Sequence, residues 1–186
     1  MKIDLRFTGY KITAIVDEKI TFQHRLRKKW FRMQWVVVND LKEEFCRFKI
    51  KSGFWMCKFT LIAQIKVDGR SIAMHYKSRP PHILFDDSGS NYKIVFHHSH
   101  RTSLYRDNVQ FASMRKVRAV EVSGMRFLVL ANDDIDCTFI LMLLYAILLA
   151  RYNDSDEATD ITVDFGFTGR ELQPIDSSWH PKTSTN

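Results

Sequence analysis

The chain has 186 residues, 45% of them hydrophobic, 13% aromatic and 26% charged, with 7 Gly, 4 Pro and 3 Cys. That profile excludes a disordered segment, a collagen repeat and a disulfide scaffold, and fits one globular domain burying roughly 70% of the surface its unfolded chain exposes. The formal charge of +7 is uneven: residues 1–80 hold 18 Lys and Arg against 7 Asp and Glu, and residues 151–186 hold 3 against 7.

A basic half favours contact with a polyanion, whether nucleic acid, anionic membrane or acidic protein, and is equally consistent with a solvated face that keeps the protein soluble. Cys46, Cys57 and Cys137 match no zinc spacing, and the start MKIDLRFTGY lacks the apolar core of a signal peptide, so a reducing cytoplasm is expected.

Up to about residue 130 the chain reads as short period-two runs, each buried on one face. They begin at Tyr10–Val16 and Ile20–Leu26, and continue through Trp30–Val38, Glu44–Lys51, Phe54–Ile62, Gln64–Val67 and Ser71–Tyr76. His82–Asp86, Asn91–His97, Thr102–Arg106, Val109–Ser113, Val117–Val122 and Met125–Leu130 follow, about a dozen strands in all. Asp68-Gly69, Ser88-Gly89, Asp107-Asn108 and Ser123-Gly124 supply the positive φ of tight turns, so the predicted topology is an antiparallel meander.

After Leu130, Asn132–Asp136 offers capping and first-turn acids, and Phe139–Ala150 then runs without a polar break. A helix is expected over about residues 133–152, apolar on every side. Its uncharged length, Cys137–Ala150, spans about 21 Å against the ~30 Å of a bilayer core, so no transmembrane span is expected. Such a helix must be surrounded by protein, and the only partner is the sheet. Twelve strands at ~4.8 Å spacing and ~40° tilt close at a radius of about 12 Å, which one helix fills. The expected fold is a closed antiparallel barrel of about 12 strands around one central hydrophobic helix, residues 1–152. An acidic tail, 153–186, follows, with a strand-like run at 161–167 and a loose end at Ser177–Asn186.

This order resembles the tubby C-terminal-like superfamily, which includes tubby proteins, phospholipid scramblases and LURP-one-related proteins. The resemblance covers roughly residues 5–152. It is carried also by Arg27-Lys28-Lys29-Trp30-Phe31-Arg32, Phe48-Lys49-Ile50-Lys51, Val67-Asp68-Gly69-Arg70 and the Asp-rich lead into Phe139–Ala150. It implies binding of phosphoinositides or other phospholipids through basic side chains. Scramblases also carry acidic residues before the terminal helix, proposed to bind calcium. Here Asp133, Asp134 and Asp136 take those places, and complementing the helix dipole explains them with fewer assumptions.

The strongest local cluster is Arg25, Arg27, Lys28, Lys29 and Arg32 with Trp30 and Phe31 interleaved, extended by Lys49, Lys51 and Lys58 on neighbouring strands. Basic groups attract phosphate, and a rim Trp sits at headgroup level. Alternation sends Arg25, Arg27 and Lys29 one way and Leu26, Lys28 and Trp30 the other. The competing reading is an edge whose lysines block strand pairing. His97-His98-Ser99-His100 lacks an obvious third metal ligand and reads as surface histidines.

There is no G-x-S-x-G, P-loop, G-x-G-x-x-G or H-E-x-x-H motif, so no catalytic residues and no cofactor are expected. The expected function is non-enzymatic binding of anionic phospholipid or phosphoinositide headgroups by a cytoplasmic protein peripheral to a membrane. The alternatives are an acidic protein partner and, less favoured, nucleic acid. The acidic tail is a candidate cover for the basic half.

Overall fold

Period-two alternation builds nearly all of the structure. The computed structural model describes residues 1–8, 11–29, 34–52, 58–66, 69–98, 100–117, 125–152 and 170–183. The strands are β1 (Lys2–Thr8), β2 (Lys11–Val16), β3 (Lys19–Lys29), β4 (Gln34–Asn39), β5 (Glu44–Ser52) and β6 (Lys58–Ile65). They continue as β7 (Ser71–Ser78), β8 (Pro81–Asp87), β9 (Ser90–Phe96), β10 (Arg101–Arg106), β11 (Val109–Val117) and β12 (Met125–Ala131), and one helix follows, α1 (Cys137–Tyr152).

Each strand pairs antiparallel with its predecessor, and β1 closes the ring on β12. Among the described residues, three connections are two-residue turns with positive φ at both positions: Asp17-Glu18 (44° and 71°), Ser88-Gly89 (53° and 81°) and Asp107-Asn108 (50° and 64°). That backbone matches the right-handed twist of the flanking strands. The β1–β12 seam has an ionic staple, because Arg6 and Arg126 lie opposite each other and both donate to Asp4 at about 2.9 Å. Burial alone would raise the Asp4 pKa, but the hydrogen bonds from Arg126 and Arg6 hold it below its ordinary value.

The helix fills the lumen. From Ile140 to Ile147 every helical residue is at most 1% exposed, so no face of it meets water. Inward residues of the wall, such as Ile3, Leu5, Phe48, Met74, Ile94 and Phe127, join it in one core. His24 also turns inward, stacked on Phe45 at 4.7 Å with its Nδ1 2.5 Å from the Tyr145 hydroxyl. Burial lowers its pKa to about 4, so the ring is neutral.

Several expectations need correction. β1 was not among the expected runs. The described parts of the runs at Phe54–Ile62 and Gln64–Val67 form a single strand, β6, and most of Val117–Val122 and the turns at Asp68 and Ser123-Gly124 lie outside the described residues. The helix starts at Cys137, four residues later than expected. Of the three acids before it only Asp136 complements the helix, its carboxylate accepting from the Thr138 and Phe139 N–H groups at 3.2 and 3.1 Å. Replacing Asp136 with Ala is expected to cost about 1 kcal/mol, read as a lower urea midpoint with unchanged slope.

Residues 177–183 of the expected loose end are held against the barrel. Residues 170–183 form a strap on the outer wall of β9–β12. Lys93 and the His98 N–H donate to Gln173 and Glu171, the Trp179 indole donates to the Gln110 carbonyl at 3.1 Å, and Lys182 and Asn132 bond at 2.8 Å. The strand-like run at 161–167 lies outside the described residues.

Candidate functional site

Strand register decides which basic residues share a face. On the outside of β3 and β4, Arg25 pairs with Val38, Arg27 with Val36 and Lys29 with Gln34. On the next strand, Arg47 pairs with Val36 and Lys49 with Gln34, and Lys51 pairs onward with Thr60 on β6. Arg25, Arg27, Lys49 and Lys51 are exposed, whereas Val36 and Val38 on the same wall are only 4% and 5% exposed. Long basic side chains bury their aliphatic stems over such valines and hold their charged ends in water.

β3 and β5 flank one strand, so their backbones are ~10 Å apart, and the charged ends of Arg27 and Lys49 can approach one phosphate-bearing group. Lys77 is exposed further round the wall, at the position directly across from Lys58.

The described arginines divide into two kinds. Arg6, Arg47, Arg70, Arg106 and Arg126 each meet a carboxylate. Arg25 and Arg27 form no ion pair among the described residues. Arg47, which the sequence reading did not select, stands on the same wall but is held by Glu44 at 3.0 and 2.6 Å. The acidic turn of Asp40, Glu43 and Glu44 borders one end of the wall, leaving the opposite end, around Lys49 and Lys51, the more positive.

The expected cluster is thus brought together in part. Arg25, Arg27, Lys49 and Lys51 share the outer wall, and Lys29 has the matching strand position. Lys28 occupies the alternate row, opposite the core residue Trp35. Trp30, Phe31 and Arg32 lie outside the described residues, as do the side chains of Lys28, Lys29 and Lys58.

The three candidate metal acids diverge. Asp133 pairs with the Met1 amino group, Asp134 with Arg106 at 3.4 Å, and Asp136 caps α1. Among the described residues no three His, Cys, Asp or Glu side chains are grouped to hold a metal ion.

Within the histidine run His98 is exposed as expected, but His97 departs from the surface reading. His97 is 1% exposed; its Nδ1 donates to Glu171 at 3.1 Å, and its Nε2 stands 2.9 Å from the Ser103 hydroxyl. Burial raises the Glu171 pKa, but hydrogen bonds from the His98 N–H and His97 outweigh it and hold the carboxyl below its usual range. The connectivity is that of an acid–His–Ser relay. Yet Ser103 lies mid-strand, with β10 paired to β9 and β11, so the backbone N–H groups beside it are spent on the sheet and not on an oxyanion. The relay is a clasp that fixes the strap to the wall.

No family model matches the chain, and no curated protein or solved structure is significantly similar to it. No helix among the described residues is long and apolar enough to cross a membrane. A wall of this kind can offer charge-assisted hydrogen bonds to anionic oxygens.

Proposed function

We propose that this barrel is a binding module for anionic phospholipid headgroups, docking through the outer wall of β3–β5 at a membrane surface. The observation that carries the reading is the register that sets Arg25, Arg27, Lys49 and Lys51 together, exposed and without carboxylate partners among the described residues. Guanidinium groups grip phosphate oxygens in pairs, and ammonium groups add flexible point charges. The barrel around a central helix, which resembles the tubby-like architecture, supports the same reading. Trp30 and Phe31 follow β3 in sequence and are the residues to test for contact with the acyl boundary.

The test is co-sedimentation with neutral vesicles and with vesicles containing phosphatidylserine or a phosphoinositide. Binding is expected only to the anionic vesicles, to weaken on raising salt, and to fall at least tenfold in Arg27→Glu/Lys49→Glu. Equal binding by the charge-reversed protein would overturn the assignment of the wall, and no vesicle binding would overturn the lipid reading.

A further inference from the structure

Elsewhere on the ring, centred five strands from the basic wall, the C-terminal strap roofs a cavity of about 300 Å³ on the outside of β10–β12. Its lining combines Arg101, Arg115, Thr102, Gln110, Leu130 and Trp179. We propose that this cavity binds a small soluble phosphomonoester bearing hydroxyl groups, such as a sugar phosphate.

The first support is a pair of like charges. Arg101 and Arg115 are direct cross-strand partners, an arrangement that repels unless an anion joins them. The same barrel shows the satisfied version, where Arg6 and Arg126 are also direct partners and Asp4 lies between them. Neither Arg101 nor Arg115 forms an ion pair among the described residues. Asp176 also lines the cavity, but its carboxylate accepts from the Ser178 N–H at 2.9 Å and hydroxyl at 2.6 Å, within its own turn.

A second, independent support comes from a polar atom left over. Gln110, 9% exposed, lines the cavity, and its Oε1 has no hydrogen-bond partner among the described residues. Gln110 Oε1 can only accept, so it calls for a donor, which the dianionic phosphoryl group of a monoester does not bring and a sugar hydroxyl does. Trp179, Leu128 and Leu130 supply the apolar surface on which a sugar ring packs. The volume is at the small end for ligand sites, and the strap segment Ile175–Trp179 covers it, which favours a soluble molecule over a headgroup still in its bilayer.

The site is separate from the proposed lipid wall, and its test keeps the two apart. The full chain is titrated calorimetrically with glucose 6-phosphate, glucose, inorganic phosphate and phosphatidic-acid vesicles, with the Trp179 indole resonance followed by NMR. Glucose 6-phosphate is expected to bind at least tenfold more tightly than inorganic phosphate and to shift the Trp179 signal, with glucose inert. Arg101→Gln/Arg115→Gln is expected to lose this binding at least tenfold while melting no lower than the parent protein, and Arg27→Glu/Lys49→Glu is expected to retain it. No binding of glucose 6-phosphate, equal binding of inorganic phosphate, retention in the Arg101/Arg115 variant, or response to the vesicles alone would each overturn the proposal.

Discussion

Truncating Leu144 to Ala is expected to lower stability by about 2–5 kcal/mol, and comparable losses are expected at Leu141, Met142 and Leu143. These four consecutive positions point in four directions around α1, yet each is 0% exposed. An ordinary amphipathic helix would tolerate the change on its solvent side, with losses within about 0.5 kcal/mol. Urea titration of the four single variants measures this directly. One tolerant position among them would mean that the helix does not fill the lumen. Leu144→Asp is expected to prevent folding, because a carboxylate there has neither water nor a cation to receive it.

The second large effect is an acid limb in the stability profile that begins well above the carboxylate range. In the unfolded chain the His24 imidazole takes up its proton near pH 6.5, whereas in the barrel burial delays that to about pH 4. As the pH falls below about 6.5 the unfolded state binds a proton that the folded state refuses, so stability declines until about pH 4. At 1.36 kcal/mol per unit the loss amounts to about 3 kcal/mol. Asp4 and Glu171, whose folded pKa values are lowered, contribute stability that is present at neutral pH and lost only further into acid. His24→Phe/Tyr145→Phe removes both partners of the buried hydrogen bond and keeps the ring packing against Phe22 and Phe45. Denaturation midpoints at pH 7, 5.5 and 4.5 are expected to fall steeply in the parent and far less in the double variant. Parallel profiles would assign the acid limb to other groups.

Much of the architecture was legible because two features of the sequence agree on it. Phe139–Ala150 has no polar side to offer water, and the strand runs provide a wall of the right circumference to enclose it. Ser88-Gly89 and Asp107-Asn108 were readable as turns for the same local reason, a tolerance of positive φ. The strand at Lys2–Thr8 was less visible, although Ile3, Leu5 and Phe7 alternate, because Lys2, Asp4 and Arg6 give it the look of a charged terminus. Only the closed ring shows that two of those charges form the seam with Arg126.

The sites were legible to different degrees. Alternation correctly separated Arg25 and Arg27 from the inward row of β3, since facing follows from parity alone. It did not reveal that Glu44 holds Arg47, which depends on a bulge between Val37 and Val38 and on side-chain reach. The pairing of Arg101 with Arg115 depends on β10–β11 register. The docking of the strap rests on single residues, Glu171 and Trp179, in a stretch whose polar composition has no period. Tertiary partners of that kind leave no local signature.

The position of α1 in the chain has a consequence for how the protein is made. Every strand leaves the ribosome before the element that occupies the lumen, and the seam strands β1 and β12 are separated by most of the polypeptide. Hairpins can form in turn as each strand emerges beside its predecessor, but their apolar faces have nothing to pack on until synthesis reaches Leu149. Folding of this domain is therefore committed late and all at once, and a nascent chain stalled at Ala131 is an open, sticky sheet in need of a chaperone and not a smaller barrel.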